Sequence, residues 1–100
     1  MGDQQPNAFQ QEFEVIRQRF GTRLREDYAA LAQYRMNPLP PTPELVSIVH
    51  RLAGSAAMVG FTEIGEVAGR LDDAAVEPGV DLSPLLRELL SVLEKTISNK

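Results

Sequence analysis

Of the side chains that can act as acid, base and nucleophile near neutral pH, imidazole is the most adaptable, and this chain carries one, His50. It lies in the stretch VHRLAGSAAMVGF, Val49 to Phe61, which reads as helix. Residues three and four places away share its helix face: Val46, Ser47, Ala53 and Gly54, with Ala57 one turn further on. None has a long side chain. Glycine in a helix interior costs about 1 kcal/mol relative to alanine, so Gly54 calls for a reason. A glycine beside an imidazole lets the backbone of another molecule come close to the ring. The competing explanation is tight packing against a loop or the N-terminal helix of the same chain.

Helical arithmetic decides where the ring points. Unrolled at about 100° per residue, Leu45, Ile48, Val49, Leu52, Ala56 and Val59 fall within roughly 60° of a common axis and form a core stripe. His50 falls about 140° away from it by the same count, which predicts an exposed ring. General-base hydrolysis would need a bound nucleophile, an oxyanion site and a sheltered cleft, and small side chains on a convex helix supply none. A nucleophile that takes a group held in a partner's active site needs only reach and clearance. Two carboxylate pairs, Glu26-Asp27 and Asp72-Asp73, invite a catalytic reading. Adjacent helical residues diverge by about 100°, however, so both pairs are expected on solvated faces.

Composition removes most other chemistry. The formal charge is −4, and Arg17, Arg19, Arg23, Arg25 and Arg35 alternate with Glu and Asp. That pattern describes a solvated helix face rather than the clustered cations that bind nucleic acid. No apolar run approaches the roughly 20 residues that span a bilayer. The start MGDQQPNAF has neither the basic nor the apolar region of a signal peptide, and cysteine is absent. A cytoplasmic protein with no disulfide and no metal site is the expectation.

Four amphipathic segments must position the histidine. The first, roughly Asn7 to Met36, places Phe9, Phe13, Ile16, Phe20, Leu24, Tyr28 and Leu31 on one stripe. Gly21 interrupts it and is expected to bend the helix or split it. The stretch MNPLPPTP enforces an extended connector over 37–43, because proline restricts itself and the residue before it. Thr42 and Pro43 form a helix start. The second helix then runs to about Val59, with Gly60 as a left-handed cap. The third, near Thr62 to Val76, presents Ile64, Val67, Ala68, Leu71 and Ala75. Asp81 or Ser83 caps the fourth, which buries Leu82, Leu85, Leu86, Leu89, Val92 and Leu93. The prediction is a single all-α domain over 1–100, an antiparallel up-and-down four-helix bundle, with 1–6 as a flexible N-terminus.

The stretch HRLAGSAAMVGF resembles the phosphorylation motif of histidine-containing phosphotransfer (HPt) domains. That motif is written H-x-x-K-G, with small residues after it and a second glycine six residues beyond the first. His50, Gly54 and Gly60 match, as do Leu52, Ser55 and Ala56, and FTEIGEVAGRLDDAA resembles the next family helix. The resemblance implies a monomeric phosphorelay intermediate of two-component signalling. His50 would accept a phosphoryl group on Nε2 from the aspartyl phosphate of a response-regulator receiver domain, and pass it to another receiver or back. A hybrid or sensor histidine kinase would be the other partner. No kinase or hydrolase activity of its own is implied and no intrinsic cofactor, since the receiver supplies Mg²⁺ and most of the electrostatic stabilisation.

One residue departs from the motif: the family lysine is Ala53 here. Arg51, about 100° around the helix from His50, and Arg70 on the third helix are the candidate phosphate-assisting cations. Val46, Ser47, Arg51, Ala53, Gly54, Ala57 and Met58 are the expected receiver-docking residues. Loss of the lysine keeps a second reading open, a docking module that binds a receiver or histidine kinase and regulates it without transfer.

Overall fold

The computed structural model describes residues 8–34 and 36–98, with the side chains of 8–10 and 13 left out. The 1–6 segment, the start at Asn7, the side chains of Phe9 and Phe13, and Arg35 therefore lie outside the described residues. Four helices are present: α1 (Ala8–Leu31), α2 (Pro43–Met58), α3 (Thr62–Ala74) and α4 (Ser83–Ser98). Among the described residues there is no strand. Each helix packs on its neighbours in sequence and α4 closes the ring on α1. Polar pairs fix the directions. Asp27 meets Arg51 and Tyr34 meets Glu44 across α1 and the start of α2; Arg70 meets Glu88 and Glu63 meets Lys95 across α3 and α4. In each set the numbers rise on one helix and fall on the other, so the neighbours are antiparallel.

The core follows the apolar stripes. Leu45, Val49, Leu52, Ala56 and Val59 of α2 are buried, with Ile64, Val67, Ala68 and Leu71 of α3 and Leu82, Leu86, Leu89, Val92 and Leu93 at α4. On α1 burial begins only at Phe20 and continues through Leu24 and Leu31. Ile16, expected in the same stripe, is 51% exposed, and neighbouring Val15 is 46% exposed. The reason is length: 24 residues make a helix of about 36 Å, against about 24 Å for the 16 residues of α2. Val15 and Ile16 lie on the part of α1 that outruns the shorter helices, which leaves them exposed.

The helix ends were less predictable than the stripes. Thr42 caps α2 through Oγ1, which accepts from the Leu45 amide at 3.3 Å, and Pro43 occupies the first turn. Gly60 (φ +91°) closes α2: the Phe61 amide donates to the Ala56 carbonyl at 2.8 Å and the Gly60 amide to Ala57 at 3.3 Å, the paired bonds of a left-handed C-terminal cap. Helix α1 is continuous through Gly21 but stops at Leu31 rather than Met36. There the Gln33 and Tyr34 amides donate to Ala30 and Leu31, three residues back, which tightens the last turn and turns the chain toward α2. Likewise α3 stops at Ala74, and Val76 is 82% exposed.

The proline-rich connector is more than a spacer, because Leu39 within it is 1% exposed. Its amide donates to Asp81 Oδ1 at 2.7 Å, and its carbonyl accepts from the Leu82 amide at 2.9 Å. Asp81 Oδ1 also takes the Ser83 amide at 3.0 Å and the Ser83 hydroxyl at 2.8 Å. One carboxylate thus pins the connector to the start of α4.

Candidate functional site

The imidazole of His50 stands out from α2 with 77% of its side chain exposed, as the helical arithmetic requires. Its Nδ1 lies 2.8 Å from Asp72 Oδ2 on α3. An ionised carboxylate only accepts hydrogen bonds, so the proton between them sits on Nδ1. In the neutral ring Nε2 then carries the lone pair. That nitrogen, on the far edge of the ring, points away from α3. Asp72 is thereby taken out of the solvated-face reading: its side chain is 24% exposed and bonded to the imidazole.

Helix register is what brings the pair together. Adding a Cβ to Gly65 on α3 would place it 3.4 Å from the Cβ and amide nitrogen of Ala57 and 3.7 Å from the Ala53 carbonyl. This close passage of α3 over α2 accounts for the small residues at 53 and 57. Two turns further along α3, the same antiparallel register sets Asp72 against His50. Gly54 is different. A Cβ there would meet nothing within 4 Å, and the residue is exposed, so no packing inside the chain asks for a glycine. Gly69, one turn before Asp72 on α3, has the same open space. Both helices thus carry a glycine with open space at its Cβ position.

The other candidate residues divide. Val46 is half-buried, Ser47 exposed, Ala53 half-buried against the core, Ala57 exposed, and Met58 80% exposed. Arg51 turns toward α1, where Nη2 donates to Asp27 Oδ1 at 2.7 Å. Asp27, expected on a solvated face, is 5% exposed. Burial pushes its carboxyl above the usual range, against the opposing pull of Arg51 and Arg23. Arg70 is forked onto Glu88, with Nη2 to Oε2 at 2.7 Å and Nη1 to Oε1 at 3.4 Å. Both candidate cations are therefore held in ion pairs. Among the described residues no three His, Asp or Glu side chains gather as metal ligands. Nor is any described helix long and apolar enough to cross a membrane.

Asp72 and Asp27 both depart from the solvated faces expected of them. The signal for Asp72 was available only jointly: an acidic residue on α3 lying as far beyond Phe61 as His50 lies before it on α2.

An exposed imidazole bonded through Nδ1 to a carboxylate, on an antiparallel four-helix bundle, has the form expected of a histidine phosphotransfer domain. The family model of the Hpt domain matches residues 7–96, and the chain belongs to that family, whose members carry out histidine phosphotransfer in phosphorelay signalling. No curated protein matches the chain significantly, and no solved structure does so either.

Proposed function

We propose that His50 is the phosphoacceptor and that it exchanges a phosphoryl group with the aspartyl phosphate of a receiver domain. The observation that carries this reading is the Nδ1 bond to Asp72. Nε2 attacks phosphorus, the bond from phosphorus to the aspartyl oxygen breaks, and the receiver's carboxylate leaves with its electron pair. The proton on Nδ1 stays where it is. The ring becomes a phosphoimidazolium, and its new positive charge faces the Asp72 carboxylate, as a carboxylate behind a histidine steadies the cation in other sites. Return of the group to a second receiver reverses each step.

The clearing around Gly54 and Gly69 admits the receiver's backbone to the ring. Val46, Ser47, Ala57 and Met58 form the flanking contact surface. The receiver contributes the aspartate and its Mg²⁺, and a hybrid or sensor histidine kinase stands upstream of it. This chain contributes the oriented nucleophile and has no kinase or hydrolase step of its own.

The test is label transfer. A receiver carrying labelled phosphate on its aspartate is mixed with the chain, and label should move to a base-stable, acid-labile species that His50→Gln abolishes. Binding of the receiver without label transfer would instead establish a docking module.

A further inference from the structure

A phosphoryl group on Nε2 brings up to two negative charges, yet position 53 holds alanine. Arg51 is the cation next to His50 in the sequence, and it is not left to wander. Asp27 reaches it from α1 with one bond, Nη2 to Oδ1 at 2.7 Å. The other oxygen, Oδ2, is buried with no hydrogen-bond partner. Arg–carboxylate pairs frequently close as a bidentate fork, and this one does not. A buried carboxylate with one bare oxygen forfeits much of what the pair returns against desolvation. Stability alone therefore explains this aspartate poorly.

The guanidinium tells the other half. Its side chain is 41% exposed, and among the described residues its remaining donors have no protein partner. The His50 ring leans its Nδ1 edge onto α3, which turns Nε2 away from α3. Arg51 runs to α1, on the opposite side of α2 from that bond. The free nitrogen is thus turned from α3 toward the face of α2 that carries Arg51.

We propose that Asp27 is a positioning residue for phosphotransfer: from α1 it holds Arg51 beside His50, leaving the unused guanidinium donors to meet the phosphoryl oxygens on Nε2. The inference rests on the reading of His50 as phosphoacceptor. By it, the cationic help lost at position 53 comes from the residue that follows His50, and the neighbouring helix keeps it in place.

The experiment uses the whole chain phosphorylated with phosphoramidate, which needs no receiver, and follows the ³¹P resonance of phosphohistidine with pH. A nearby guanidinium favours the dianion, so the wild-type phosphoryl group should titrate about one pH unit below that of Arg51→Gln. Asp27→Asn should raise the midpoint toward that of Arg51→Gln, and the double variant should match Arg51→Gln alone. Single-turnover transfer from a phosphorylated receiver gives a parallel reading: both single variants should slow the maximal rate about tenfold with half-saturation little changed. An Asp27→Asn midpoint equal to wild type, or a shift that persists undiminished without Arg51, overturns the proposal. So does a midpoint equal to wild type in Arg51→Gln or in the double variant, which leaves no buried charge unpaired. If label fails to move from the receiver while these ³¹P shifts appear, the relay reading falls and the positioning role stands.

Discussion

At the scale of single residues, His50 and Gly54 were legible because a helical wheel needs only one helix. Asp72 was not, because it meets His50 only through the register between α2 and α3, which no single segment encodes. The same limit hid Asp27, whose partner Arg51 lies on another helix. Gly54 gives the sharpest residue-level expectation, since a Cβ there meets nothing within 4 Å. Gly54→Ala should stabilise the chain by about 0.5–1 kcal/mol by restoring helix propensity. Gly54→Leu should melt no lower than wild type while slowing phosphotransfer about 100-fold, because a small displacement of the reacting groups is enough to do so. Thermal melts alongside single-turnover transfer check both, and a bulky variant that transfers at the wild-type rate would remove the reason given for the clearing.

Between elements, the apolar spacing placed the core stripes of all four helices, while the helix ends depended on what the chain does next. Helix α1 stops at Leu31 because Leu39 must turn inward to the core, and nothing in the pattern MNPLPPTP marks one of its residues as buried. Ile16 fits the stripe but outruns its partners, since periodicity gives a face and not the length of its neighbour. Gly65 is where element packing touches function. With a Cβ already at 3.4 Å from Ala57, a branched side chain has no room, so Gly65→Val should wedge α3 from α2 at a cost of about 1–3 kcal/mol. Transfer should slow in step, because the same hinge of contacts sets Asp72 against the ring. Chemical denaturation and the transfer assay, run on Gly65→Ala and Gly65→Val together, would show a graded loss; equal behaviour of the two would deny the close approach its role.

For the whole molecule, closure of the bundle relies on the Asp81 carboxylate, which joins the connector to α4. The amides of Leu39 and Ser83 and the Ser83 hydroxyl hold this carboxyl below the usual range. A carboxyl lowered in the folded state stabilises above its unfolded range and loses that contribution as pH falls through the folded value. Asp81→Asn should therefore be less stable than wild type at neutral pH, with the gap closing as pH drops below about 4. Urea midpoints across that interval would show it, and a gap independent of pH would assign the effect to shape rather than charge. The central claim, though, concerns one proton. Long-range ¹⁵N correlation of the neutral His50 ring reports directly which nitrogen is protonated. Wild type should carry the proton on Nδ1 with Nε2 bare, and Asp72→Asn should shift the population toward Nε2–H. A wild-type ring that already carries its proton on Nε2 would contradict it.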